Sequence, residues 1–553
     1  MSIPAKAVPP RIPPSMTSRF SFLLVCAVLV AALVSLPVGS LIVQVFLPDE
    51  QGVWTHLMQT VLGEYVSNTL ILALGVGLGA AFLGTGAAWI VAMHRFPGRH
   101  LLEWALLLPL AMPTYVIAYV YTDFFQFAGP LQSALRELTG WTREDYRLPE
   151  IRSLGGAIVI FSLVFYPYVY VLVRAALLER SGSLMEAARS LGLSQGAAFF
   201  RVALPLSRPA VAGGVALVVM ETLAEFGAVS YFGVPVFTTG IYRAWYAFGS
   251  PVAAAQLSVS LLAVVALVLM VEKTSRGRAR FHDSGGRPLV QSRLSGGRLM
   301  LAWGACLVPL VGGFLLPGGL LLSMALETGD AQFGVKYLTL AGNSLKLAVL
   351  ASLAAVLAAL LLAYAGRLHP GRWMAAVKRL AGLGYAVPGT VIAVGALIPL
   401  TQLDQALVFW MRAHFDYNPG LLITGSALAL VFAYVARFLA VALNAVEASL
   451  ARIRPSLDEA ARSLGASRGT LLARVHAPML SGGIVAGTLL VFVDVMKELP
   501  ATIVLRPFNF ETLATQVYIL AADERLAEAA TPSLIIVAVG LIPVMMLSRT
   551  LNR

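Results

Sequence analysis

Glu221 and Glu225 sit four residues apart in an apolar stretch, and Asp494 and Glu498 repeat that spacing 273 positions later. Residues four apart share one face of a helix, so each pair is expected to present two carboxylates together. Acids inside membrane spans are functional candidates by default. Groups of carboxylates favour cations, and hard cations prefer oxygen ligands. The competing reading is that these acids pair with Lys497, Arg243 or Arg506 and lock helices together. Other chemistry is sparse. The seven histidines (56, 94, 100, 282, 369, 414 and 476) are scattered and form no ligand cluster, so no metal site is assigned. Cys26 and Cys306 lie 280 residues apart in apolar runs, which suits helix packing and no disulfide framework. No phosphate-binding G-x4-G-K-[ST] loop is present, and no Gly-Lys dipeptide occurs anywhere.

The elements that must position the four acids follow from composition. The chain has 553 residues, 58% of them apolar and 12% charged. Its mean hydropathy is +0.80. A soluble chain carries about twice that charge fraction, so a soluble enzyme, a disordered chain and a collagen-like chain are excluded. A membrane helix needs roughly 20 mostly apolar residues. Twelve stretches qualify: 20–47, 68–93, 101–122, 153–177, 210–231, 251–271, 299–325, 343–365, 380–401, 419–442, 481–503 and 530–548. The fold class is therefore an all-α polytopic membrane protein. The first span follows a short basic tail (Lys6, Arg11, Arg19) and reads as an uncleaved anchor.

Charge sets the expected orientation. With both termini in the cytoplasm, the loops and tails on that side carry 28 Lys and Arg, against 11 on the opposite side. The positive-inside rule demands this sign. The net charge of +12 thus reflects topology, and nucleic acid is not an expected partner.

The chain is also a duplication. Glu186-Ala-Ala-Arg-Ser-Leu-Gly192 recurs letter for letter as Glu459-Ala-Ala-Arg-Ser-Leu-Gly465, and Pro205 matches Pro478. Asn68-Thr-Leu70 resembles Asn343-Ser-Leu345, and Pro113 aligns with Pro388. Six spans per repeat is an even number, so the repeats run parallel across the bilayer. The division is 1–271, a Gly-, Ser- and Arg-rich cytoplasmic linker at 272–298, and 299–553. Each cytoplasmic repeat segment, 184–205 and 457–478, reads as a helix–turn–helix knob. Ser183 or Ser456 is placed to cap a short helix. Ala187, Ala188, Ala460 and Ala461 keep one face small. Gly192 or Gly465 ends the helix, and a second short helix is expected to stop at Pro205 or Pro478. A DNA-binding helix–turn–helix is disfavoured because each knob is tethered to spans on both sides and lacks a dense basic face.

The pattern Glu-Ala-Ala-x3-Gly-x12-Pro, present twice at equivalent topological positions, resembles the signature of binding-protein-dependent ABC importer permeases. The resemblance spans essentially the whole chain. It implies that both halves of a transmembrane pore are fused. It also implies that the knobs dock on two separate ATP-binding cassette subunits, and that a periplasmic or extracellular solute-binding protein delivers the cargo. The chain then needs no cofactor of its own, ATP being used by the partners. Its place would be the bacterial inner membrane, in contact with lipid. Glu221-Thr-Leu-Ala-Glu225-Phe-Gly and Asp494-Val-Met-Lys-Glu498-Leu-Pro, with Leu505-Arg-Pro-Phe-Asn-Phe510, are similar to ferric-iron permeases. Thiamine permeases share the fused length, and an ion-coupled secondary transporter with two six-helix halves has similar size and symmetry. The secondary transporter has no reason to present two identical cytoplasmic knobs, whereas the thiamine alternative stays open.

Overall fold

Backbone groups in a bilayer core have no water to bond, so long apolar segments form helices, which satisfy themselves. The computed structural model describes residues 22–180, 188, 190–276, 291–328, 335–465 and 467–551. Among them eleven helices are long and apolar enough to cross a membrane, or twelve if one bent pair counts as a single span. The polytopic all-α expectation holds. Leu74, Leu78 and Phe82, four apart along helix Leu62–Met93, are strongly exposed and form a stripe suited to lipid. On the inner faces small residues let helices touch. Gly214 meets the backbone of Val169, and Gly487, its counterpart 273 positions on, meets Ala442.

The duplication extends to individual hydrogen bonds. Asn68 donates to the carbonyl of Pro235 (3.0 Å), and the Thr69 hydroxyl accepts the Phe237 amide (3.2 Å). Asn343 donates to the carbonyl of Glu511 (3.1 Å), and the Ser344 hydroxyl accepts the Leu513 amide (2.8 Å). Each pair thus clamps the start of one short helix, Phe237–Tyr246 or Leu513–Ala522.

Several expected spans are revised. The stretch 101–122 is not straight: Arg99–Ala111 and Thr114–Thr139 meet at 91°. Pro113 supplies no amide and holds Met112 extended, so the helix cannot continue. Its counterpart Pro388 likewise precedes a helix, Gly389–Phe415, which runs well beyond the expected end at 401. The expected start at 419 moves to Ala427, because Asp404 accepts the amides of Leu422, Ile423 and Thr424 and closes a loop there. Pro205 and Pro478 do not stop their helices. Each lies in the first turn of a membrane helix, Leu204–Ala224 or Ala477–Met496. A π-turn, Phe199–Ala203 or Leu472–His476, precedes each one and leaves room for the missing amide.

The first helix of each repeat crosses to the other. Phe22–Val45 packs on Gly389–Phe415, where Gly395 meets the Pro37 carbonyl and the Ser40 hydroxyl donates to the Gly395 carbonyl. Gly297–Leu310 packs on Leu62–Met93 of the first repeat, with the Tyr121 hydroxyl bonded to the Gly312 carbonyl just beyond it, while the continuation Leu316–Thr328 packs chiefly on Leu526–Leu551 of its own repeat. Part of the linker is ordered against the body. Ser292–Arg293 pairs with His94–Arg95, and Gln291 bonds Arg95, Arg99 and the Ala92 carbonyl. Residues 277–290 lie outside the described ones.

Candidate functional site

The fifth and eleventh spans end earlier than expected, and they end at the acids. Helix Leu204–Ala224 stops before Glu225, whose backbone is extended (φ −71°, ψ 135°). Helix Ala477–Met496 stops at Lys497. The two acids of a pair therefore do not share one helix face. Glu225 and Glu498 instead turn forward and cap the next short helix, accepting its first amides as an N-terminal carboxylate should. Glu225 accepts the Ala228 amide (3.1 Å). Glu498 accepts the amides of Ala501 (2.8 Å) and Thr502 (3.0 Å) and the Thr502 hydroxyl (2.6 Å).

These breaks bring all four acids to one cavity of about 130 Å³. Glu221, Glu225, Asp494 and Glu498 line it with Arg437, Lys497, Tyr115 and Tyr385. Met112–Pro113–Thr114, at the 91° bend, forms another part of the wall. The two repeats treat their acids differently. Asp494 pairs with Lys497 (3.1 Å) and Glu498 with Arg437 (2.7 Å). Glu221 receives a bond from the Tyr385 hydroxyl (3.2 Å), and Glu225 one from Thr114. The Tyr115 hydroxyl is buried with no hydrogen-bond partner. With four carboxylates and two cations, the lining carries a formal excess of two negative charges. Among the described residues no three His, Cys, Asp or Glu side chains converge as metal ligands.

Of the three cations expected to pair with the acids, Lys497 does so, but with Asp494 three residues before it at the end of the same helix, so the pair locks no two helices; the arginines do not. Arg506 pairs with Glu511, and Arg243 does not line the cavity. Sequence reading missed Arg437 as a partner. A lone arginine in Ala427–Leu450 was its signal, since a charge in an apolar span demands a counter-charge. It also missed Tyr115 and Tyr385, for which periodicity gives no sign.

The backbone of the second knob is described except at residue 466. Pro455–Ser463 is a helix that starts one residue before Ser456, so Ser456 is not its cap. Glu459 and Ala460 are exposed and Ala461 is half-buried. Gly465 follows at φ +80°, a conformation that favours glycine. In the first knob Ser183, Glu186 and Ala187 lie outside the described residues, while Ala188 is buried and Gly192 has φ +79°. Leu191 and Leu464, beside the two glycines, are 82% and 88% exposed.

Beside Glu459, Asp458 bonds Arg367 at 3.0 Å and His476 at 2.9 Å. Burial acts to raise its carboxyl, but the bonds from His476 and Arg367 outweigh it and hold the group below the usual carboxylate range. A second buried pair had gone unread. Glu103 pairs with Arg174, and at the matching positions Lys378 pairs with Glu447 (2.6 Å) with the charges exchanged.

Comparison with known proteins adds the following. A family model described as binding-protein-dependent transport system inner membrane component matches residues 80–271. The Fe(3+)-transport system permease protein FbpB 2 of Haemophilus influenzae is 28% identical over 500 residues, which cover 88% of this chain and 90% of that protein. The molybdenum transport system permease protein ModB of Escherichia coli is 30% identical over 202 residues, covering 35% of this chain and 85% of the relative. The sulfate transport system permease protein CysT of Escherichia coli is 28% identical over 257 residues, covering 45% and 88%.

Proposed function

The chain belongs to the family of binding-protein-dependent transport system inner membrane components, as a fused ABC importer permease, and on that premise we propose that it forms the ferric-iron pathway of such an importer. Residues 1–271 and 299–553 act as two half-pores joined by the linker 272–298. Two ATP-hydrolysing subunits dock on the knobs, and a solute-binding protein delivers cargo on the opposite side. Both termini lie on the knob side, in the cytoplasm. The chain binds no cofactor and hydrolyses no ATP.

One observation carries the coupling role: the same leucine, beside the same left-handed glycine, stands exposed in both knobs. A leucine that exposed at a repeated position is suited to a partner's apolar groove. In this reading Glu186 and Glu459 flank that contact, and Ala187, Ala188, Ala460 and Ala461 keep the helix thin. ATP binding draws the partner subunits together, the knobs follow, and the cavity changes the side to which it opens. Iron as cargo is supported by likeness to an iron permease over nearly the whole chain and by the negative excess of the cavity lining. Glu221 and Glu225, which have no cationic partner at hydrogen-bond distance, are the acids that meet it.

An oxyanion is the second reading, favoured by Arg437 and Lys497 in the lining and by the sulfate and molybdenum relatives. Purified chain, its ATPase subunits and its binding protein, reconstituted in vesicles, decide between them. ATP-dependent uptake of radiolabelled iron, with no uptake of sulfate or molybdate, is expected. Uptake of either oxyanion without iron overturns the cargo assignment.

A further inference from the structure

The knobs are alike in sequence, yet their roots differ. Asp458 joins three elements of the second repeat. It lies on the knob helix Pro455–Ser463 and receives Arg367 through Nε (3.1 Å) and Nη2 (3.0 Å to either oxygen). Arg367 closes helix Val335–Leu368 and also donates to the carbonyls of Leu450 (3.3 Å) and Ile453 (3.2 Å). The other Asp458 contact is Nε2 of buried His476 (2.9 Å), the last residue before helix Ala477–Met496. That helix rises about 26 Å from Ala477 to Asp494, at 1.5 Å per residue, and delivers Asp494 and Lys497 to the cavity.

In the first repeat the positions of Arg367 and His476 are taken by Ala92 and Ala203, both fully buried. Met185, opposite Asp458 in the alignment, lies outside the described residues. Among the described residues of that root, Trp89 meets Phe199, ring centres 4.7 Å apart. A forked guanidinium–carboxylate contact fixes direction as well as distance. An aromatic contact tolerates sliding and rotation.

We propose that Asp458, Arg367 and His476 form a brace that makes the second knob a stiff lever on helix Ala477–Met496. Motion of the ATP-hydrolysing partner then reaches the Asp494–Lys497 side of the cavity directly. The three are positioning residues that touch no cargo. The inference rests on the permease reading above.

The test uses the reconstituted full assembly and reads iron imported per ATP hydrolysed. Asp458→Asn keeps the shape and removes the charge. We expect it to lower that ratio at least fivefold while the partner subunits still co-purify and hydrolyse ATP. Arg367→Gln is expected to give the same loss, and the double variant no more than either single one. Asp458→Glu restores part of the ratio. Trp89→Leu changes it less than twofold. An unchanged ratio in Asp458→Asn, or uptake and hydrolysis falling in proportion, overturns the brace. If Asp458→Asn does not assemble, Arg367→Lys decides. It keeps the charge and loses the fork, so a lowered ratio supports the brace and a normal one overturns it. Wild-type assembly that hydrolyses ATP and imports nothing contradicts the permease reading instead.

Discussion

The two repeats share helices, clamps and prolines, and they differ in how charge is used. In the second repeat every cavity acid has a cation beside it, Asp494 with Lys497 and Glu498 with Arg437. In the first, Glu221 and Glu225 are held by hydroxyls and one amide. The knob roots also differ in residue type: Arg367 and His476 of the second repeat stand where the first has Ala92 and Ala203. Duplication thus supplied one architecture twice, and divergence left the cavity acids of one copy paired with cations and those of the other without one at hydrogen-bond distance.

The largest expected effect tests what the copies still share. Gly192 and Gly465 have open space for a side chain, so only their positive φ opposes substitution. A β-branched residue is a genuine outlier there. The double variant Gly192→Val, Gly465→Val is expected to lose more than tenfold in ATP-driven uptake while the chain stays in the membrane. Each single variant reports which knob matters more, and near-normal uptake in the double variant breaks the docking account.

Next comes the cavity. Glu498→Gln strands Arg437 and removes a buried ion pair, which costs about 3–5 kcal/mol. A melting temperature lowered by several degrees should show it. Glu221→Gln leaves no cation unpaired. It is expected to melt close to wild type and to reduce iron uptake. If both variants melt alike, the contrast between the two repeats is wrong.

The charge-exchanged pair sharpens the comparison further. Glu103 and Arg174 are almost wholly buried, whereas Lys378 and Glu447 are about one-third exposed. Glu103→Gln is expected to destabilise by about 3 kcal/mol, and Glu447→Gln by about 1 kcal/mol or less because solvent screens it. Thermal melts of the two variants check the order.

The smallest effect is a pH dependence. The Asp458 carboxyl is held below its unfolded value of about 3.9. A depressed pKa contributes stability above the unfolded value, and that contribution fades as pH falls through the folded value. The melting difference between wild type and Asp458→Asn should therefore be full at pH 7 and shrink below about pH 4. A difference that grows on acidification has the wrong sign.

Much of this was legible in the residues. The duplication, the polytopic fold and the four acids follow from spacing and hydropathy alone. The breaks after Ala224 and Met496 were hidden because hydropathy averages over a window, and Glu225 and Glu498 look like helical neighbours of the acids before them. Pro205 and Pro478 read as helix ends, since a sequence does not display the π-turns that accommodate them. The Glu103–Arg174 and Lys378–Glu447 pairs were masked by their exchanged signs: a search for identical residues discards them. The crossing of Phe22–Val45 to the other repeat leaves no local mark, because that helix is apolar on every side. His476 counted as one scattered histidine until the fold placed it beside Asp458.

The most direct measurement is uptake into vesicles holding the purified chain, with and without its ATP-hydrolysing subunits. The account predicts iron accumulation only when those subunits, ATP and the binding protein are all present. Accumulation by the chain alone, driven by an ion gradient, would contradict it.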